Sequence, residues 1–178
     1  EMLTLVEPSS NLVAHLSGRF AGSPKVAVVA NSLETHVAGL AAESVDTIVM
    51  VNVLEHIAED REALRGLITA LKPGGHLLLF VPALQVLMSQ LDRNLGHFRR
   101  YHKPDLRAKV AAAGANVLAC RYVDLLGVGP WFLLNTLLGA TAFNPAPVAL
   151  NDRYVVALTR RIEAIFGAPF GKNLILVA

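Results

Sequence analysis

Apolar and polar positions follow two rhythms along this chain, and the sharpest change between them lies from Val45 to Val81. Behind Asp46, the run Thr47-Ile-Val-Met-Val51 is short, continuous and rich in β-branched residues, which predicts a central strand buried on both faces. Leu54, Ile57, Ala63, Leu64, Leu67, Ile68 and Leu71 then recur at three- and four-residue steps, with Asp60, Arg61, Glu62 and Arg65 between them. That spacing predicts an amphipathic helix. Lys72-Pro73-Gly74-Gly75 ends it: proline cannot continue a helix, glycine accepts positive φ, and a lysine complements the negative helix end. His76 to Val81 is a second buried strand. Strand, helix and strand with so short a return form a parallel βαβ unit with a right-handed crossover. Ligands in such sheets bind beyond the carboxyl ends of the strands, where Asn52-Val53-Leu54-Glu55-His56 falls.

The same patterns extend in both directions. Met2–Val6 reads as a strand, Pro8-Ser9-Ser10 as the start of a helix carrying Leu12, Val13 and Leu16, and Lys25–Ala30 as another strand. Downstream, Pro104 to Ala113 is a helix with proline and Asp105 at its start and Gly114 after its end, and Asn116–Val123 is a strand. Leu125–Ala142 is almost uncharged but interrupted by Gly127, Gly129, Pro130 and Asn135, which suits a helical cover better than a membrane span. After a break at Asn144–Pro147, Asn151–Phe166 reads as an amphipathic helix and Asn173–Ala178 as a last strand. The alternation predicts one α/β domain, Rossmann-like, with a mostly parallel sheet, helices on both faces and a cover around residues 125–166.

With 178 residues, 53% of them hydrophobic, the chain can bury a sizeable core. A net charge of +2 gives no general attraction to nucleic acid. The single cysteine, Cys120, excludes a disulfide framework and suits a reducing, cytoplasmic setting, and its place in a strand predicts an inert buried thiol. No close HxH or HExxH spacing argues for a metal. An acid at the end of a second strand, here Glu7, is what dinucleotide-binding and related folds use to hold a ribose diol.

Two segments at this spacing, D-x-(apolar)-N-V-L-E-H-I and L-K-P-G-G-(apolar)-V-P, resemble the post-cofactor half of class I S-adenosylmethionine-dependent methyltransferases of the small-molecule kind. The resemblance implies S-adenosylmethionine as cofactor, Glu7 on its ribose, Asn31 or Ser32 with Leu33 near the adenine, and Asn52, Val53 and His56 in the pocket wall. It also implies a final strand joined antiparallel at the sheet edge. The family's first strand, with its G-x-G-x-G turn, is not found before Glu7, so the expectation is an N-terminally truncated domain with a gap at the centre of its sheet.

Gln85 to Tyr101, QVLMSQLDRNLGHFRRY, concentrates polar and aromatic groups that no apolar period explains. Its D-R-x-x-G-H-x-R-R-Y pattern resembles a bacterial methyltransferase subfamily associated with glycosyltransferases. Just beyond a strand end, His97 is suited to be a general base, with Tyr101 as the second catalytic candidate. Arg99 and Arg100 suit bidentate binding of a carboxylate or phosphate, with Asp92 orienting either, Arg93 is a further substrate-binding candidate, and Trp131 suits an apolar wall. Asp92, Arg93 and Arg99 equally suit an ion-pair network that fixes the loop. The expectation is methyl transfer to a small-molecule or lipid- or sugar-linked acceptor, at a hydroxyl oxygen, without nucleic acid or a metal. Membrane-surface contact or a homodimer fits the apolar cover. The competing reading is a non-catalytic scaffold beside a glycosyltransferase, while nicotinamide chemistry is disfavoured because no dinucleotide glycine turn is present.

Overall fold

The computed structural model describes residues 2–140 and 155–178. The expected break at 144–147, the first turn of the helix expected from Asn151, and residues 141–142 of the cover lie outside them.

Two sheets result. Strand β1 (Leu3–Val6) pairs in parallel with β2 (Val26–Val29), joined by helix α1 (Ser10–Phe20). Helix α2 (Leu33–Ala38) then leads to the second sheet, built from β3 (Val45–Val51), β4 (Leu71–Pro82), β5 (Ala119–Val123) and β6 (Asn173–Val177) in the order β3-β4-β6-β5. β3 and β4 are parallel, and β6 is antiparallel to both β4 and β5. The α/β class with an antiparallel last strand is therefore as expected, although the second sheet is mixed. β6 is interior rather than closing an edge: Leu174 and Leu176 are fully buried and both of its edges are paired, which leaves β5 outermost.

Among the described residues the series is broken between β1 and β3, each of which pairs with one strand only. β3 is thus an edge strand and not a covered central one. Val49 and Val51 are exposed although their composition suits burial, because nothing described packs on that side.

Helices α3 (Asp60–Ala70) and α5 (Lys103–Ala112) cover one face of the second sheet. Alternate residues of β4 and β6 point at them, so Leu77, Leu79, Val81, Leu174 and Leu176 meet Leu64 and Leu67 of α3 and Leu106 and Val110 of α5. On the other face helix α7 (Val156–Phe166) borders a cavity of about 610 Å³ whose walls include Phe80, Tyr122, Arg160, Glu163 and Ile175. Cys120 is buried, and burial raises its thiol pKa.

Two boundaries differ from the pattern. The strand after α3 begins at Leu71 rather than His76, because Leu71 pairs with Val45 before the register shifts. Gly74 there has φ +78°, and a Cβ on Gly75 would fall 2.9 Å from the backbone oxygens of Asp46 and Lys72, so this crossing requires glycine. The helix expected from Leu54 is split into a 3₁₀ turn, Leu54–His56, and α3. The split is held from outside, as the candidate site makes plain.

Candidate functional site

The loop that leaves β4 at Pro82 returns to it at Tyr101. The Tyr101 amide donates to the Pro82 carbonyl, the Leu84 amide to the Tyr101 carbonyl, and Ala83 bridges to Tyr101. Leu84 turns the chain at φ +63°. Inside this loop the short helix α4 (Gln90–Asn94) carries a capping box: Ser89 N–H and Oγ–H donate to Asp92 Oδ2 at 2.8 and 2.6 Å, while the Asp92 amide donates to Ser89 Oγ.

The other carboxylate oxygen of Asp92 organises the rest. Oδ1 accepts from Arg100 Nε at 3.0 Å and Nη2 at 2.8 Å, and it lies 3.0 Å from His97 Nδ1. Asp92 and the Arg100 side chain are almost wholly buried. Burial works against the Asp92 charge, but hydrogen bonds from Ser89 and Arg100 outweigh it and hold the carboxyl below its ordinary range. An ionised carboxylate only accepts, so the proton on His97 lies on Nδ1 and the lone pair on Nε2. Arg100 also donates to the Ala83 carbonyl at 3.3 Å and lies over the Trp131 ring at 4.7 Å. Trp131 ends the helical turn α6 (Val128–Trp131), which runs on as a π-helical stretch, Phe132–Leu137, and its indole N–H donates to the Leu87 carbonyl at 3.0 Å.

A second buried acid, Asp60, joins this loop to the β3 rim. It accepts from Lys109 Nζ at 2.6 Å, Arg99 Nη1 at 2.8 Å and the Tyr101 hydroxyl at 2.9 Å. Arg99 Nη2 donates to the Ala58 carbonyl, the Tyr101 hydroxyl also reaches the Leu54 carbonyl at 3.2 Å, and the Phe98 amide donates to the Glu55 carbonyl. These bonds take up the carbonyls where a continuous helix would run, which is why α3 starts only at Asp60.

Together the staples bring His97 against His56, edge to face at 4.6 Å between ring centroids. Burial and then the His97 imidazole lower the pKa of His56, whose outer side is exposed. Beside them lies Glu55, fully buried, with neither carboxylate oxygen hydrogen-bonded. Burial pushes its carboxyl up to about 7. Glu55 is not among the residues singled out in the sequence, since nothing in its type or spacing marks it as buried. The signal that could have found it is the E-H pair at a strand's carboxyl end, where a buried acid needs a reason.

Of the expected site residues, His97, His56, Asp92 and Arg100 therefore meet in one cluster, with Trp131 against its arginine. Arg99 and Tyr101 serve the Asp60 network, Tyr101 being fully buried, and Arg93 is exposed on α4. Val53 packs against the core. Asn52 is exposed at the end of β3, φ +52°, its amide bonded to the Phe80 carbonyl.

The remaining residues sit at the carboxyl ends of β1 and β2. Glu7 follows β1, its Oε1 accepting from the Ser9 amide at 2.8 Å and its second oxygen without a partner among the described residues. Asn31 follows β2 half-buried, its side-chain amide without a hydrogen-bond partner among the described residues. Ser32 caps α2 through Thr35, and Leu33 packs on the core. A free carboxylate oxygen and a free amide at parallel-strand ends match the donors and acceptors of an adenosyl group, so these residues fit the nucleoside part of S-adenosylmethionine.

Comparison with known proteins bears on the fold and on the general chemistry. Residues 2–77 match the family described as Methyltransferase domain, and none of the curated proteins matches the sequence. The structure resembles a SAM-dependent methyltransferase from Archaeoglobus fulgidus at TM-score 0.61 and 16% identity, over 98% of this chain and 74% of that one. It also resembles the methyltransferase CalH complexed with SAH (TM-score 0.52, 18% identity, 67% and 37% of the two chains). A third likeness is to the [4+2]-cyclase SpnF (TM-score 0.58, 18% identity, 99% and 65%). The fold is the Rossmann-like fold of class I S-adenosylmethionine-dependent methyltransferases. With the domain match, it supports S-adenosylmethionine as cofactor and methyl transfer as the general chemistry.

Proposed function

We propose that the protein methylates a hydroxyl oxygen of a small-molecule or lipid- or sugar-linked acceptor, with His97 Nε2 taking the hydroxyl proton. The observation that carries this is the Asp92–His97 pair: a buried carboxylate, itself fixed by Ser89 and Arg100, holds the imidazole by Nδ1 and leaves Nε2 as the lone pair. When bound, S-adenosylmethionine supplies a methyl group on a sulfonium, already activated. The residues of this chain then have two tasks, orientation of the acceptor and removal of its proton. Alignment lowers such barriers by up to roughly 7–11 kcal/mol, and a positioned base adds about 10²–10⁴-fold.

Glu7 and Asn31 hold the nucleoside, with Ser32, Leu33, Asn52, Val53 and His56 along the pocket wall. Arg99, Arg100 and Tyr101 act by positioning, since their polar atoms are engaged within the protein. Exposed Phe132, Leu133, Leu134, Leu137 and Leu138, adjoining Trp131, support an acceptor with an apolar portion and a cover that meets a membrane surface. No helix among the described residues is long and apolar enough to cross a membrane. A parallel strand laid between the open edges of β1 and β3 would complete the sheet and bring Glu7 and Asn52 to one rim.

The test is methyl transfer by the full-length protein to a panel of hydroxylated acceptors, with His97→Gln alongside. The variant is expected to lose at least about a hundredfold in turnover and to keep S-adenosylhomocysteine binding. Turnover unchanged in His97→Gln would remove His97 as the base, and absence of cofactor binding by the full-length protein would favour the scaffold reading.

A further inference from the structure

The buried carboxylate that the methyl-transfer reading leaves unused is the starting point. Glu55 has no access to solvent, and neither of its oxygens has a hydrogen-bond partner, which is costly for a group that exists to accept them. It is not isolated. One ligand atom each from Glu55, His56 and His97 lie within 4.8 Å of one another. Around a zinc ion with bonds of about 2.1 Å, ligand atoms stand about 3.4 Å apart, so a small inward movement of these three side chains would enclose an ion. His56 is exposed on a short 3₁₀ turn, so its side chain can adjust toward the other two.

We infer that Glu55, His56 and His97 form a binding site for a divalent transition-metal ion of the zinc class.

Two imidazoles and one carboxylate are a nitrogen-rich set that suits zinc, cobalt or iron(II), whereas magnesium and calcium need mainly oxygen. The surroundings are those of a supported ligand. His97 Nδ1–H is donated to Asp92, which orients Nε2, as carboxylates do behind metal-bound histidines. Glu55 supplies the negative charge, and the exposed side of His56 gives the ion a way in. Three protein ligands leave a tetrahedral site with an open position. An ion there would acidify an oxygen bound to it, and His97 Nε2 would then be a ligand rather than the proton acceptor. The site rests on the geometry of these three residues and not on the methyl-transfer reading.

The test is metal binding itself. Full-length protein stripped by chelator is titrated with Zn²⁺ in a calorimeter and, separately, loaded with Co²⁺ for visible absorption. The expected results are one ion per chain and a cobalt spectrum of a four- or five-coordinate nitrogen–oxygen site. Glu55→Gln and His56→Ala should each weaken binding by at least about 100-fold, while His36→Gln, remote on α2, leaves it unchanged. Glu55→Gln is isosteric and removes a buried charge, so it keeps the fold, and circular dichroism checks this. No zinc bound at micromolar concentration, or affinity unchanged in Glu55→Gln and His56→Ala, overturns the inference. Protein that takes up no zinc yet still binds S-adenosylhomocysteine would end the metal site and leave the proposed function standing.

Discussion

Removing the guanidinium of Arg100, in Arg100→Met, tests whether the Asp92 cluster is as buried and as rigid as its geometry indicates. Arg100 gives Asp92 two charge-assisted bonds at 3.0 and 2.8 Å, and both side chains are at most 2% exposed. Stripping one partner from such a pair leaves a buried charge without its counterion, a loss of about 3–5 kcal/mol, against about 0–1 kcal/mol for an exposed pair. At about 2–4 °C per kcal/mol for a chain of this size, the melting temperature should fall by roughly 6–20 °C. Urea unfolding monitored by Trp131 fluorescence, fitted with a common slope, gives the free energy directly. The loss should narrow in acid. Asp92 has a folded pKa below its unfolded value of about 3.9, so its contribution is present above that pH and is lost as pH falls through the folded value. A loss below about 1 kcal/mol at neutral pH would refute the reasoning, because it would mean that water reaches the pair and the loop does not pin His97.

Other outcomes follow from the same structure. Asp60→Asn removes the negative charge shared by Lys109, Arg99 and Tyr101 and one of its two acceptor oxygens, and should destabilise the fold at neutral pH. Burial raises the Asp60 pKa, but those bonds outweigh it and lower it, so thermal melts of wild type and variant should converge below about pH 4. Leu64→Ala, at a fully buried core position facing the sheet, should cost about 2–5 kcal/mol by urea unfolding. Gly75→Ala should cost about 1–3 kcal/mol, since the new methyl would meet the Asp46 and Lys72 carbonyl oxygens at 2.9 Å. Gly18→Ala, on the exposed side of α1 with nothing within 4 Å, should instead stabilise by about 0.8–1 kcal/mol.

Periodicity carried most of the fold into view. The β-branched run of β3, the three- and four-residue steps of α3 and the glycine pair before His76 mark a βαβ unit because each reflects a backbone preference acting locally. What stayed hidden depends on partners distant in sequence. The split between the 3₁₀ turn and α3 is imposed by Arg99 and Tyr101, some forty residues away, as their bonds of sequence separation 41 and 47 show. Val49 and Val51 are suited to burial by composition, yet their exposure depends on which strand lies beside β3. In the site, Asp92 and His97 were legible as residue types, but the direction of each bond was not. Asp92 is legible as a partner of Arg99 or Arg100, but not which of the two it takes or that the pair is buried, and nothing in the type or spacing of Glu55 marks its burial.

Cofactor binding as proposed requires the carboxyl ends of β1 and β2 to form a nucleoside site. Calorimetric titration of the full-length protein with S-adenosylhomocysteine, in wild type and Glu7→Ala, tests it most directly. A hydrogen bond to a carboxylate is worth about 1.5–3 kcal/mol, so the account predicts binding in the wild type and a loss of about ten- to a hundredfold in the variant. Equal affinity in the two proteins would contradict it.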